Sequence, residues 1–337
     1  MNERRIARGI PRYLRERENF ATMNDQLKIF SGNANIPLAQ AICSSAGVEL
    51  GKCEIVKFSN ENIKVKIAES VRGTDVYVIQ PSCSPVNDGI MELLIMIDAI
   101  KHASAGRITA VLPYYPYARS DKKDEPRISI TARLMADLLQ TAGANRIVTM
   151  NLHSPQIQGF FRIPVDHLLA GRVVCDYFQN RGTENCVVVA PDAGSAKRAG
   201  HYAIRLGLPL AILDKRRSDD SEAPEIHHVI GDVKGKRAII FDDEIASGGS
   251  IMEVTEALYR LGVREIEACC VHAVLSGRAV ERLRGVPLKK LVVTDTVYIP
   301  PEKKFPQLEI ISVAELFAKA ILYTHQGESI SGLYDQY

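Results

Sequence analysis

The sequence lacks the features that would direct a protein to a membrane or to nucleic acid. No apolar run approaches the roughly 18–20 residues of a membrane-spanning helix, and charged residues stand where a signal peptide would have its apolar core. The formal net charge at pH 7 is only +2, so no overall attraction to nucleic acid or anionic lipid follows. We therefore expect a cytoplasmic protein with small-molecule partners, no nucleic acid and no membrane.

Zinc and common nucleotide motifs are missing as well. The seven cysteines show no zinc-type spacing, and most stand in apolar strand-like runs, which predicts small buried residues in a reducing compartment. The sequence contains no G-x-x-x-x-G-K-[ST] loop, no G-x-G-x-x-G after a strand and no kinase catalytic-loop pattern. If the chain binds ATP, it does so without the common phosphate cradle.

What is present is a regular alternation of strand and helix patterns. With 337 residues, 46% of them hydrophobic, the chain is long enough for two domains. Short apolar runs alternating with longer helical patterns are typical of parallel α/β sheets, which bind ligands at the carboxyl ends of their strands. The strand-like runs cover residues 27–30, 77–80, 108–113, 147–152, 187–191, 210–213, 238–241, 266–274 and 291–294, and helical patterns cover 87–103, 129–142, 196–207 and 250–261.

Residues 238–250 form the most informative segment. An apolar strand over residues 238–241 is followed by Asp242 and Asp243, by a Ser-Gly-Gly-Ser loop and by a helix. The two carboxylates can hold ribose hydroxyls or a cation, while the loop amides can wrap a phosphate at the helix N-terminus. The alternative is an ordinary polar loop with a helix cap. The combination favours a pentose-phosphate site.

Two further strand ends carry polar side chains. Asp192 and Gly194 precede a helix. This pattern suits the binding of a pyrophosphate whose metal is held by Asp192. The alternative is that Asp192 is an ordinary N-cap residue. His153 follows another strand, and a lone histidine in such a place is more often structural than a ligand. We expect His153 to share a strand-end edge with Asp192, where a divalent cation could bridge phosphate oxygens and the imidazole.

Two charge-dense segments, residues 117–127 and 214–220, are predicted to be loops. Charge runs are usually solvated faces. The alternative is that these loops deliver cations to a charge-spreading phosphoryl-type transition state and exclude water from it.

Taken together, these residues give a chain that resembles the ribose-phosphate pyrophosphokinase family over residues 27–333. The stretches that carry the resemblance include residues 69–73, 91–99, 117–119, 156–161 and 164–166. The resemblance implies an α/β fold with two tandem phosphoribosyltransferase-like domains, each with a mainly parallel central sheet flanked by helices. It also implies that the 1-hydroxyl of ribose 5-phosphate attacks the β-phosphorus of MgATP, which gives 5-phosphoribosyl 1-pyrophosphate and AMP for nucleotide biosynthesis.

The resemblance assigns roles to individual residues. The catalytic cations would be Lys215 and Arg217, and Mg²⁺ would be held by His153 and Asp192. The nucleotide contacts would be Phe58, Asn60, Asn62, Arg119, Ser120 and His153. The pyrophosphate loop would comprise Asp192, Ala193, Gly194, Ser195 and Ala196. Ribose 5-phosphate would be bound by Asp242, Asp243, Ala246, Ser247, Gly248, Gly249 and Ser250.

Some positions depart from the family pattern. Ala246 stands where the ribose-phosphate loop usually has a third acid, and Ser247 and Ser250 replace threonines. In the nucleotide pocket, Asn62 and Ser120 stand where Glu and Gln are usual. Each change removes at most a few hydrogen bonds, on the order of 1–3 kcal/mol apiece where a group is left unpaired. Ribose affinity and nucleotide preference are the properties that we expect to differ.

The resemblance also implies regulation and assembly. A regulatory site for phosphate, as activator, and for ADP would involve Ser70, Arg72, Gln158, Ser329 and Ser331. Since this site lies between subunits in the family, the same residues imply an allosteric homo-oligomer, a hexamer built from dimers.

The predicted organisation has four parts. We expect a flexible basic tail over residues 1–25, domains over residues 26–168 and 169–326, and a segment over residues 327–337 that packs back on the first domain. Two other functions stay open. One is a non-catalytic regulatory paralogue that binds nucleotide, which Ala246 favours. The other is a single-domain phosphoribosyltransferase, which would leave the N-terminal half unexplained.

Overall fold

A computed structural model of the chain describes residues 26–216 and 225–333. The predicted tail over residues 1–25, Arg217 and residues 334–337 lie outside the described residues. For Lys215 the structure describes the backbone, which belongs to a strand that ends at Arg216, so the predicted loop over residues 214–220 was wrong for its first three residues. No described helix combines the length and the apolar character that crossing a membrane requires.

The N-terminal half is built on a parallel sheet of five strands with the order β1-β4-β5-β6-β7, and a separate antiparallel hairpin, β2-β3. Its strands are β1 (Leu27–Ser31), β2 (Cys53–Lys57), β3 (Ile63–Ile67), β4 (Asp75–Ile79), β5 (Arg107–Leu112), β6 (Arg146–Met150) and β7 (Val165–Leu168). Its helices are α1 (Ile36–Ala46), α2 (Val86–His102) and α3 (Thr131–Ala142), with a 3₁₀ turn at Pro155–Phe160.

The second half is built on a sheet of seven strands with the order β10-β9-β8-β11-β12-β13-β14, parallel except for the β9-β10 pair. The helices are α4 (Gly171–Gln179), α5 (Ala196–Leu206), α6 (Gly249–Arg260), α7 (Ala279–Arg284) and α8 (Ala314–Gln326), with 3₁₀ turns at Ala193–Ser195, Pro301–Lys303 and Ser331–Leu333. The strands are β8 (Cys186–Ala190), β9 (Leu210–Arg216), β10 (Glu225–Ile230), β11 (Arg237–Ile245), β12 (Glu265–Ala273), β13 (Lys290–Thr294) and β14 (Leu308–Ile311). These two sheets confirm the predicted fold class.

Side-chain alternation along the strands divides the apolar core into three layers. In β1, Ile29 packs into a layer shared by both sheets, while its neighbour Phe30 packs under α2 and α3. In β11, Ile239 and Phe241 belong to the shared layer, while Ile240 packs under α6 and α7. Such alternation is expected where a parallel sheet is covered on both faces. The shared layer, which also contains residues of α1, α4, α5 and α8, therefore joins the two sheets in one core.

Strand β11 is longer than the sequence predicted. The apolar run ends at Phe241, but pairing with β12 continues through Asp242, Glu244 and Ile245. The two aspartates therefore belong to a strand and do not follow it. Hydrogen bonding to a neighbouring strand extends β11 beyond its apolar residues.

All seven cysteines are free thiols, as the scattered spacing predicted. Six are buried, while Cys53 on the hairpin is half-buried. They act as small core residues, and burial raises the pKa of Cys83 to about 11.

Candidate active site

The two sheets meet where His153 contacts Asp243. His153 follows β6, Asp243 lies on β11, and Nδ1 of the imidazole is 3.1 Å from Oδ2 of the carboxylate. This contact corrects one expectation: β6 and β8 belong to different sheets, so His153 and Asp192 do not share a sheet edge. The described partner of His153 is instead a carboxylate of the predicted ribose-phosphate segment.

Arg198 supplies positive charge to the same carboxylates. It lies in the first turn of α5, and its Nη2 atom is 3.1 Å from Oδ1 of Asp243 and 3.6 Å from Oδ1 of Asp242. The Nε atom of Arg198 is buried and has no hydrogen-bond partner among the described residues. Asp243 therefore lies between a guanidinium and an imidazole.

These neighbours separate the pKa values of the two aspartates. Burial, with the adjacent Asp243 carboxylate, raises the pKa of Asp242. Burial also acts on Asp243, but hydrogen bonds and the charges of His153 and Arg198 outweigh it and lower the pKa of Asp243. The hydrogen bond to Asp243 in turn raises the pKa of His153. The pair thus offers an ionised acceptor beside a carboxyl group that retains a proton more readily.

The predicted pyrophosphate loop folds as a capped turn. The Asp192 Oδ1 atom accepts a hydrogen bond of 2.8 Å from the backbone N–H of Ser195, and the Ser195 hydroxyl lies 2.8 Å from the Asp192 carbonyl. Asp192, Ala193 and Gly194 are exposed. A Cβ atom at Gly194 would lie 3.3 Å from Asp192 Oδ1. The exposed backbone of this loop can therefore be approached by a ligand directly before α5.

The other predicted phosphate loop has no side-chain cap. Gly248 occupies the N-cap of α6 with φ of 76°, a left-handed conformation that glycine adopts without strain, and no side chain caps the helix. Ser247 and Ser250 are exposed, and Gly249 and Ala246 are half-buried. The amides of the first turn are consequently available to an anion, which the helix dipole also favours.

The remaining predicted nucleotide residues lie on two separate segments. Phe58, Asn60 and Asn62 form the exposed turn of the β2-β3 hairpin, where the backbone N–H of Phe58 donates to the Asn62 carbonyl at 2.8 Å. Ser120 is bound locally, since its hydroxyl lies 3.3 Å from the backbone N–H of Thr131 at the start of α3. Within residues 26–216 and 225–333, no hydrogen bond or ion pair connects the hairpin turn to His153 or Asp192.

The predicted regulatory residues lie in three segments of the chain. Ser329 and Ser331 bond to each other near the end of the described chain, with hydroxyl oxygens 3.0 Å apart. Gln158 donates to the Pro155 carbonyl at 3.0 Å, and Ser70 and Arg72 are exposed before β4. Across the part of the chain that the structure describes, these three groups share no hydrogen bond.

The donor set is compatible with a Mg²⁺ ion that is bound together with a phosphate ligand. No group of three or more His, Cys, Asp or Glu side chains converges among the described residues. Mg²⁺ is commonly held by one or two carboxylates plus phosphate oxygens and water, so such a group is not required. His153 has the arrangement of a ligating histidine, because its Nδ1–H donates to Asp243 and leaves Nε2 available. Asp192 adds an exposed carboxylate.

Sequence reasoning missed a second contact between the two sheets. Glu244 accepts a hydrogen bond of 2.9 Å from the Tyr114 hydroxyl, and its other oxygen lies 3.7 Å from Nη1 of Arg119. The Tyr114 ring packs on His272, with ring centroids 4.7 Å apart. Glu244, Tyr114 and His272 line a small pocket together with His153 and Asp243.

His272 fixes the loop that carries His153. Its Nε2 atom lies 3.2 Å from the carbonyls of both Met150 and Asn151, and burial lowers the pKa of His272 to about 4. Carbonyl oxygens only accept hydrogen bonds, so the neutral ring of His272 must carry its proton on Nε2. The sequence could have indicated Glu244, because it directly follows the two aspartates. No local sequence pattern indicates that Tyr114 and His272 are its neighbours.

Known proteins are similar to the chain over most of its length. Residues 27–143 match the N-terminal domain of ribose phosphate pyrophosphokinase, and residues 167–296 match the phosphoribosyl transferase domain. The chain is 52% identical to the ribose-phosphate pyrophosphokinase of Caldanaerobacter subterraneus subsp. tengcongensis over 315 residues, which covers 93% of this chain and 99% of that protein. It is 48% identical to that of Bacillus subtilis over 308 residues, which covers 91% of this chain and 97% of the relative.

A solved structure leads to the same assignment. The phosphoribosylpyrophosphate synthetase of Mycobacterium smegmatis matches with a TM-score of 0.85 and 43% identity, over 90% of this chain and 99% of that one. A single-domain phosphoribosyltransferase is excluded, because the N-terminal half has its own match. The relatives are named as enzymes, which gives no support to a non-catalytic paralogue. The chain belongs to the ribose-phosphate pyrophosphokinase family.

Proposed function

We propose that the chain transfers the β,γ-pyrophosphoryl group of ATP to the 1-hydroxyl of ribose 5-phosphate and releases AMP. The observation that carries the proposal is the position of Asp243 between His153 and Arg198. These three residues come from the loop after β6, the ribose-phosphate strand and the helix after the pyrophosphate loop. One junction thus connects the segments to which the family resemblance assigns the donor, the acceptor and the transferred group.

The acceptor would bind along β11 and the start of α6. The uncapped amides of the first turn of α6 suit the 5-phosphate, and Asp242 and Asp243 suit the ribose hydroxyls. Because the pKa values of the two carboxyl groups move in opposite directions, one can accept a hydrogen bond while its neighbour donates one. This difference would orient the sugar and direct its 1-hydroxyl toward the donor.

Transfer of the pyrophosphoryl group requires positioning and charge neutralisation more than a strong base. The oxygen of the 1-hydroxyl forms a bond to the β-phosphorus, the bond from that phosphorus to the α,β-bridging oxygen breaks, and AMP leaves while the hydroxyl proton is released. Arg198 contributes positive charge beside Asp243, and Lys215 and Arg217 are the cations that we assign to the transition state. Mg²⁺ bound by Asp192 and His153 would neutralise charge on the phosphate oxygens.

Regulation, assembly and location complete the proposal. Phosphate as activator, a hexamer built from dimers and a cytoplasmic location all follow from family resemblance. The family resemblance places the regulatory site, with Ser70, Gln158, Ser329 and Ser331, between subunits, and this is the reason for the proposed assembly. Size-exclusion chromatography with light scattering, with and without phosphate, measures the oligomeric state.

The reaction can be tested with labelled donor. Purified protein is incubated with ribose 5-phosphate, Mg²⁺, phosphate and ATP that carries radiolabel in its β-phosphate. We expect AMP and labelled 5-phosphoribosyl 1-pyrophosphate in equal amounts, and neither without ribose 5-phosphate. Formation of ADP instead of AMP, or no product from folded protein, would overturn the proposal.

A further inference from the structure

Glu244 is a carboxylate with no role in the reaction as proposed above. It follows Asp243 on β11, and only 9% of its side chain is exposed. Both of its oxygens face the loop after β5: Oε2 accepts from the Tyr114 hydroxyl at 2.9 Å, and Oε1 lies 3.7 Å from Nη1 of Arg119. Glu244 thus extends from the predicted ribose-phosphate strand to a residue of the predicted nucleotide site.

Glu244 is the fixed partner in this contact. Its backbone pairs with His272 of β12, and Tyr114, which donates to it, packs on the buried ring of the same His272. Arg119 differs, because 66% of its side chain is exposed. Among the described residues, Glu244 is its ion-pair partner. A long exposed side chain samples many rotamers. The ion pair therefore restrains Arg119 and hardly affects Glu244.

We propose that Glu244 is a positioning residue that orders Arg119 for the nucleotide. This inference rests on the proposed function and on the family resemblance, which assigns Arg119 to the nucleotide contacts. A guanidinium that is already ordered loses less entropy when it binds an anion, and its planar fork of five N–H donors leaves groups free for phosphate or ribose oxygens. Glu244 should accordingly affect the binding of ATP and leave the binding of ribose 5-phosphate unchanged.

The substitution Glu244→Gln isolates this effect. Glutamine keeps an oxygen that can accept from Tyr114, but it removes the charge that attracts Arg119. We expect KM for ATP to rise roughly 3- to 5-fold, as for loss of one partly exposed ion pair, while kcat and KM for ribose 5-phosphate stay unchanged. General destabilisation would not separate the two substrates in this way. Glu256→Gln, on the exposed face of α6, makes the same charge change and serves as the matched control, with all three constants unchanged.

A double-mutant cycle with Arg119→Ala tests whether Glu244 acts through Arg119. In the Arg119→Ala background, Glu244→Gln should produce no further rise in KM for ATP. An unchanged KM in the single variant, or the same rise without Arg119, would overturn the inference. Calorimetric titration of each variant with MgATP gives the same comparison without turnover. Wild-type protein that makes no AMP would refute the proposed function, whereas weaker ATP binding by Glu244→Gln in that protein would still support the role of Glu244.

Discussion

The Nδ1 atom of His153 lies 3.1 Å from Oδ2 of Asp243, and this hydrogen bond joins the end of one parallel sheet to a strand of the other. The carboxylate holds the imidazole in the tautomer that leaves Nε2 free for a ligand. A predicted metal ligand on one sheet is therefore oriented by the acceptor segment of the other.

Asp243→Asn should weaken the response to Mg²⁺. The amide can still accept from His153, but it loses the negative charge that pairs with His153 and Arg198. We expect the Mg²⁺ concentration for half-maximal AMP formation to rise about 10- to 100-fold, as for other groups that support a metal ligand. Asp232→Asn removes an exposed carboxylate whose described ion pair is with Lys236, and it should leave the Mg²⁺ titration unchanged. Identical titrations for wild type and Asp243→Asn would argue against the assignment.

Ala246→Asp should improve the binding of ribose 5-phosphate. Ala246 is half-buried after β11, where the family usually has a third acid, so a carboxylate there could regain a hydrogen bond to a ribose hydroxyl. We expect KM for ribose 5-phosphate to fall about 5-fold, the value of one hydrogen bond, with KM for ATP unchanged. Ala246→Asn separates the added charge from the added volume. A KM that rises in the Asp variant would show that this loop has adapted to alanine.

Lys215→Ala should slow the chemical step. Family resemblance assigns this lysine to the transition state, and its backbone lies on β9 at the sheet that carries the pyrophosphate loop. Loss of one key electrostatic group costs roughly 100-fold in kcat. Steady-state assays measure the change, and a circular dichroism spectrum checks the fold. Lys234→Ala, at an exposed lysine between β10 and β11, provides the comparison and should retain full turnover.

His272 should make stability depend on pH. Its pKa is lowered by burial from 6.5 to about 4, so the folded protein binds fewer protons than the unfolded chain between those values. The contribution of His272 is therefore complete above pH 6.5 and is lost as the pH falls toward 4, with a total of about 3 kcal/mol. Urea unfolding at a series of pH values measures it.

His272→Gln supplies the comparison for that pH series. Glutamine can donate to the carbonyls of Met150 or Asn151 but does not titrate. The variant should be less stable at pH 8 and should lose less stability on acidification. His167, whose pKa burial also lowers to about 4, retains its own share of the pH dependence in both proteins. Parallel curves for the two proteins would contradict the role of His272.

Elements that bury a continuous apolar run could be predicted from the sequence. The runs at 108–113 and 187–191 correspond to β5 and β8 within one residue, and the pattern at 250–261 corresponds to α6. The hairpin β2-β3 was not predicted, because charged residues interrupt both strands and leave no long apolar run in either. The predicted end of β11 was wrong for a related reason. Pairing with β12 extends the strand through charged residues, beyond the apolar run that the prediction used.

The site could be predicted one loop at a time but not as an assembly. Asp192 and Asp243 each follow from a local pattern of acid, small residues and helix. Their neighbours do not, because the Asp243 contact with His153 spans 90 positions and two sheets, and the Glu244 contact with Tyr114 spans 130. Such pairs depend on how the sheets pack through their shared apolar layer, which no local pattern specifies.

Helix α8 has a consequence for how the protein folds during synthesis. Phe317 and Ile321 of this late helix are buried in the same layer as Leu38 and Ile42 of α1, and Asn35 at the start of α1 donates to the Asp295 carbonyl at 2.8 Å. The first sheet therefore cannot finish its core while the ribosome still holds the last helix. Domains generally fold as units from the N-terminus during translation. Here part of the apolar face around α1 stays uncovered until residues 314–326 have been synthesised.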